Sequence, residues 1–369
     1  MRKLAVIGAG NAGIISALHF YRHSPYLDVP IEIDLYHDSN HHPIEKVGQG
    51  TVTITTELIS ETLGLTWFDN KIGATLKTGI LYKNWGRKKD QFFHDFYSMD
   101  NVAMHYTPKK LSDVVLSSGK FNVREQEIND PEKEVDADFI FDCRGRKAID
   151  KETLDTIVNP INSVLLASLP KKEMVWTEAQ ATPNGWTFVV PTEDKLSLGY
   201  LYNANITSKE EATQDFQERF GVEEIEHSMR FENYCSFNPF VGERTLLNGN
   251  QCAFIEPLEA TATGLYLYIA KIGFDRFINQ LDIPQCLQLL HKEVSTIEQF
   301  ILWHYKTGSK FDSPFWSYVK TLPFTPIKFP KKGEMYGQWH QKSFEIWEEN
   351  TKEVSFSRTG QGKVKDSYN

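Results

Sequence analysis

Cysteine is scarce in this chain, with only Cys143, Cys235, Cys252 and Cys286 among 369 residues and no CxxC pair. That spacing excludes a zinc knot and a disulfide framework, so no metal site is expected, and a reducing, cytoplasmic setting is. Nor is there an apolar run near the ~20 residues that cross a bilayer, and mean hydropathy is −0.41. The apolar start MRKLAVIGAG stops after a few residues at a glycine cluster, which reads as a first β-strand and not as a leader. Positive charge is not in excess either. Forty Lys and Arg against 49 Asp and Glu leave a net charge of −9, which argues against nucleic acid or an anionic membrane as partner. Repeats and low-complexity tracts are missing too.

What is present is ordinary globular composition, 40% hydrophobic and rich in aromatics at 13%. The length suits roughly two to three structural units, or one large interleaved α/β body. Lys3 to Ile7 reads as a strand, GAGNAG as a tight turn, and Asn11 to about Tyr21 as a helix with Ile14, Ala17, Leu18 and Tyr21 on one face. A second strand follows at Ile31 to Tyr36. After the loop HHPIEKVGQGTV, a helix is expected at Thr56 to Leu63. Alternation from Lys77 to His105 reads as strands of a second layer. Asp138 to Cys143 reads as a buried strand rejoining the first sheet, and Gly185 to Pro191 and Leu196 to Asn203 as two more strands. One helical stretch from Phe274 to about Tyr305 and a loop-rich last fifty residues with a mobile polar tail complete the expectation.

Gly8, Gly10 and Gly13 form G-x-G-x-x-G between a strand and a helix, the context in which that pattern holds a dinucleotide. Bare backbone lets a diphosphate reach the helix N-terminus, where free N–H groups and the dipole attract anions. The motif alone does not separate FAD from NAD. An acid at the end of the second strand would meet the ribose; Asp38 is the candidate, with His37 as the alternative register.

Further on, VGQGTV (Val47 to Val52), ATLKTGILYKNW (Ala74 to Trp85), FFHDF (Phe92 to Phe96), FIFDCRGR, GWTFVVPTEDKLSLGYLY, NGNQCAFIEPLEATATG and HYKTGSKFDSPFW follow in order. Together with GAGNAG these collinear pieces resemble the flavin-dependent halogenases of the tryptophan-halogenase type. Gln49 and Gly50 stand where that family has Glu and Ala, Phe188 where it has a second tryptophan, and Ala260 where it has serine.

The resemblance implies an α/β fold, a Rossmann-like FAD-binding domain of the flavin monooxygenase type interleaved with a β-sheet substrate domain and a helical C-terminal part. The implied division is FAD-binding over 1–75, 119–150 and 241–285, the last also halide-binding. Substrate-domain strands fall at 76–118 and 151–240, and the helical part at 286–369. It implies FAD, reduced by a separate flavin reductase, with chloride or bromide as co-substrate. Gly48, Thr51, Gly249 and Asn250 join Gly8, Gly10, Gly13 and Asp38 as cofactor contacts, and Thr261 and Ala262 supply halide-binding amides.

Hypohalous acid made at the flavin would reach Lys77, a flexible ammonium that can hydrogen-bond it or form a haloamine. Glu259 is the implied catalytic carboxylate, polarising the halogenating species or accepting the ring proton. Glu256, in the same E-P-L-E turn, reads as structural. His94, Phe96, Trp186 and Phe188 would line an aromatic slot, although Trp186 and Phe188 on a buried strand fit core packing equally well. His304, Trp303 and Trp316 read as packing residues. Only about fifty residues follow Trp316, so the expected substrate is a different indole, a phenol or a carrier-tethered aromatic, not free tryptophan. A homodimer stays open. A flavoprotein monooxygenase needing no halide, or a flavin-binding protein without catalysis, are the alternatives.

Overall fold

The structure is a computed structural model that describes residues 1–40, 47–96, 102–148, 151–332, 334–336 and 339–352. The loop residues His41 to Lys46 and the polar tail from Glu353 lie outside the described residues.

Arg2–Ile7 forms the first strand because its apolar run is long enough to be covered on both faces; Leu4, Ala5 and Val6 are wholly buried. It pairs in parallel with Ile31–His37 on one side, Leu4 opposite Ile33, and with Phe139–Asp142 on the other, Leu4 opposite Phe139. The six-stranded sheet runs in the order Phe240–Val241, Thr245–Leu247, Phe139–Asp142, Arg2–Ile7, Ile31–His37, Asn122–Glu125. Its strands come from three separated stretches of chain, so the sheet closes only after the intervening segments have left and returned. The helix Asn11–His23 covers it and packs on the helix Thr261–Phe277, with the Phe20 ring centroid 5.1 Å from that of Phe274 and 5.5 Å from that of Phe277.

A seven-stranded sheet forms the second layer: His227–Arg230, Ser163–Pro170, Lys195–Tyr202, Gly185–Pro191, Thr177–Thr182, Gly79–Lys83 and Gln91–Asp95, in that order. All but one of its pairings are antiparallel. Between the layers, Ala103–Tyr106 pairs with both Gln49–Gly50 and Thr75–Lys77, which ties the loop after the second strand to the lysine strand.

Three expectations change. The stretch from Phe274 to Tyr305 is two helices, Thr261–Phe277 and Ile283–Thr307. Asn279 turns the chain at φ 61°, and Asp282 then starts a new helix in a capping box with Gln285, with Pro284 in its first turn. The loop-rich C-terminal region holds helices Pro314–Thr321 and Gln341–Thr351, and its Trp339, Phe344 and Trp347 are buried in the main core. The helix expected from Thr56 starts at Thr53. No described helix is long and apolar enough to cross a membrane.

Candidate active site

Building the site begins at the glycine turn. A Cβ on Gly13 would lie 1.8 Å from the Gly8 carbonyl oxygen, and one on Gly8, at φ +105°, would lie 2.6 Å from that of Cys143. Both positions therefore require hydrogen for the chain to close. Gly10 differs: nothing lies within 4 Å of its Cβ position. It caps the helix with no side-chain bond, and no acid sits in the first turn. An open face at a helix N-terminus fits a diphosphate, so the residues present suit FAD. Gly249, at φ +68°, approaches Ala12 so closely that a Cβ would sit 2.7 Å from it, which brings Asn250 beside the same helix. The Asn250 amide oxygen accepts from Tyr266 at 3.3 Å and its backbone carbonyl from Tyr234 at 2.6 Å. Half-buried Asp38 follows the second strand and accepts from the Asn40 N–H at 2.9 Å.

Thr261 opens its helix, and a small cavity of about 30 Å³ is lined by Asn250, Thr261 and Ala262 together. Cofactor and halide candidates thus share one space. Gly48 gives its N–H to Ser197 Oγ at 3.0 Å, while the Thr51 hydroxyl is locked between Thr56 and the Met104 carbonyl.

Lys77, 2% exposed, donates from Nζ to the Thr51 carbonyl at 3.1 Å and lies 5.6 Å from the centre of the Phe96 ring. Burial lowers its pKa to about 8, with the Glu259 charge pulling the other way. Glu259, 7% exposed, sits at φ 67° and is followed by Ala260 at φ 54°. Two consecutive non-glycine residues in the left-handed region cost about 1–2 kcal/mol each, strain of a kind concentrated at functional positions. Tyr82 donates to Glu259 Oε1, Trp339 Nε1 donates to Oε2 at 2.7 Å, and His304 Nε2 lies 3.6 Å from Oε1. Burial raises the Glu259 pKa, and the two donors and Lys77 counter it. His304 donates from Nδ1 to the Phe300 carbonyl at 2.8 Å, which leaves a lone pair on Nε2. Its pKa falls to about 3 through burial, so the ring is neutral.

His94 is 5.2 Å from Phe96 and 4.7 Å from Trp339 between ring centroids. Both its ring nitrogens are buried without a hydrogen-bond partner among the described residues, and burial lowers its pKa to about 3.

Glu256 occupies a different nest. It accepts from Trp186 Nε1 at 2.9 Å, Tyr305 at 3.1 Å and Asn159 at 3.2 Å, and burial pushes its pKa up to about 7. Trp186 thus points its N–H at Glu256, and Phe188 packs against Gly199, where a Cβ would be 2.2 Å from its ring. Among the described residues no ring contact joins Trp186 or Phe188 to His94 or Phe96. The structure brings together Lys77, Glu259, His94 and Phe96, and it sets Trp186 and Phe188 apart.

Sequence reasoning missed Tyr82, Trp339 and the carbonyl of Thr51, and it read His304 as packing. Tyr82 lay inside a quoted motif without a role. Trp339 carried no local signal at all. No group of His, Cys, Asp or Glu among the described residues could hold a metal ion.

A parallel sheet with a diphosphate-sized glycine turn, a mostly antiparallel second sheet, and a three-stranded sheet that buries Lys77 near a strained carboxylate define an α/β protein with a Rossmann-like layer. The chain belongs to the tryptophan halogenase family, whose sequence model matches residues 3–109 and 104–361. It is 28% identical over 221 residues to tryptophan 7-halogenase KtzQ of Kutzneria sp. (strain 744), covering 54% of this chain and 41% of that protein. The chain thus spans about two fifths of that relative's length. Among solved structures it resembles a tryptophan halogenase from Shewanella frigidimarina, with TM-score 0.79, 16% identity, and 95% and 89% of the two chains covered. BrvH, a flavin-dependent halogenase from Brevundimonas sp. BAL3, aligns with TM-score 0.76 and 15% identity over 95% and 90%.

Proposed function

We propose that this protein halogenates an electron-rich aromatic, indole- or phenol-like, using reduced FAD, dioxygen and halide. The observation that carries the reading is the convergence of Lys77 and Glu259, each buried and within reach of the other's charge, beside the unpaired ring of His94.

Gly8, Gly10, Gly13, Asp38, Gly48, Thr51, Gly249 and Asn250 would hold FAD, which when bound and reduced would supply, with dioxygen and halide, the electrophilic halogen as hypohalous acid. The first-turn amides at Thr261 and Ala262 attract the halide, since a helix N-terminus favours an anion by ~0.3–1 kcal/mol, more when partly buried. The Lys77 ammonium hydrogen-bonds the oxygen of hypohalous acid. As the ring carbon–halogen bond forms, the oxygen–halogen bond breaks and that oxygen leaves as water with a proton from Lys77. Glu259 takes the ring proton, a step worth on the order of 10²–10⁴ in rate. Burial serves both groups, because a dry site strengthens each electrostatic contact. His94 and Phe96 hold the ring by its face and offer it a polar edge. Reduction by a separate flavin reductase and a reducing compartment complete the proposal; the four cysteines are all free.

The test supplies purified protein with FAD, a flavin reductase, NADH, and bromide or no halide, over a panel of indoles and phenols read by mass. A brominated product with the bromine isotope pattern supports the reading. Hydroxylated product without halide would establish a monooxygenase instead, and flavin binding without any product would leave a non-catalytic flavoprotein.

A further inference from the structure

The E-P-L-E turn delivers Glu259 into a space where both of its carboxylate oxygens are already met. Tyr82 reaches Oε1 from the strand Gly79–Lys83, and Trp339 reaches Oε2 from 80 residues further along the chain. Neither donor is free to swing away. Tyr82 is stacked 5.1 Å from Phe92 and packed edge-on 4.9 Å from Trp347, and Trp339 is held by His94 at 4.7 Å and His304 at 4.9 Å. Both side chains are buried, Tyr82 wholly and Trp339 with 2% exposed.

We propose that Tyr82 and Trp339 are positioning residues for Glu259, one donor for each carboxylate oxygen. They aim the carboxylate at the ring proton and keep its ionised form affordable in a dry site. The proposal deepens the reading of Glu259 as the proton acceptor and rests on it.

A buried carboxylate without donors would hold its proton and could take no other. The titratable groups facing Glu259 are Lys77, Tyr82 and His304. Lys77 favours the ionised form by its charge. His304 stays neutral and presents only a lone pair, so it supplies no counter-charge. Two neutral donors therefore carry the remaining stabilisation, and because one comes from the seven-stranded sheet and the other from the C-terminal segment, the carboxylate is aimed only when both parts are docked.

The experiment titrates the protonated Glu259 carboxyl in the full chain by pH-difference infrared spectroscopy, with the band assigned by its loss in Glu259→Gln. Trp339→Phe keeps a ring and removes the N–H; Tyr82→Phe removes one oxygen. Each is expected to move the midpoint up by about one pH unit, the size of a hydrogen bond to a charged group. Should Trp339→Phe fail to fold, the smaller Tyr82→Phe change reads the same quantity. Wild-type midpoints in folded variants overturn the proposal. The readout needs neither flavin nor halide, so a shifted midpoint in a protein that halogenates nothing would sink the functional reading and leave the clamp standing.

Discussion

Lys77 gives its ammonium to the carbonyl of Thr51 at 3.1 Å, and Thr51 is itself pinned through its hydroxyl to the Met104 carbonyl. The lysine is thus held by the backbone of the loop after the second strand and, among the described residues, by no direct ion pair, so the more distant Glu259 charge offsets its burial only in part. Lowering a lysine from 10.5 to about 8 corresponds to about 3 kcal/mol of destabilisation at neutral pH. A Lys77→Met chain, losing one hydrogen bond of about 1 kcal/mol, should be more stable by about 2 kcal/mol while losing halogenation and keeping FAD affinity. The folded-state pKa is the lower one, so the cost is full below pH 8 and fades towards 10.5. Urea unfolding should therefore show the advantage of methionine shrinking above pH 8.

On the proposed reading, the same two groups set the pH profile of the reaction. That reading needs Glu259 ionised, its pKa raised by burial, and Lys77 protonated, its pKa lowered to about 8. A bell with its alkaline limb near 8 is expected in kcat. A rate still climbing well above that would assign the chemistry to the neutral amine, as a haloamine.

Glu256 holds three donors and has a separate consequence for stability. Glu256→Ala orphans the N–H of Trp186 and the hydroxyl of Tyr305 in a dry core, at a cost of about 3 kcal/mol. Its folded pKa, about 7, is raised from 4.5. Its contribution is therefore full below 4.5 and lost as pH rises to 7. Glu256→Gln should flatten that slope in denaturant unfolding measured from pH 5 to 8.

Within the glycine turn, two substitutions should separate folding from binding. Gly13→Ala forces a Cβ to within 1.8 Å of the Gly8 oxygen and should lower the melting temperature sharply. Gly10→Ala meets nothing and has ordinary φ, −77°. It should melt like the wild type yet bind FAD at least ten-fold more weakly by fluorescence titration, because the new methyl occupies the face offered to the diphosphate.

Short-range features were legible along the chain. The glycine turn between strand and helix, the lysine strand and the E-P-L-E turn each carry their signal within a few residues, because turn geometry and strand alternation are local properties. The break near Asp282 was also local, and was misread only because apolar periodicity on both sides masks a capping box. Trp186 and Phe188 show the limit. Their strand was legible, but whether a ring in a wholly buried strand faces a guest or a neighbouring glutamate depends on the partner strand.

Sequence alone determined the alternation of strands and helices and the dinucleotide turn, because each is written in contiguous residues, and collinear resemblance to a family singled out Lys77 and Glu259 as candidates. Tertiary structure alone decided what surrounds them. Tyr82, Trp339 and His304 meet around Glu259 from three distant segments, and burial there moves both pKa values towards neutrality. Desolvation is a property of the assembled core, and no stretch of chain carries it by itself.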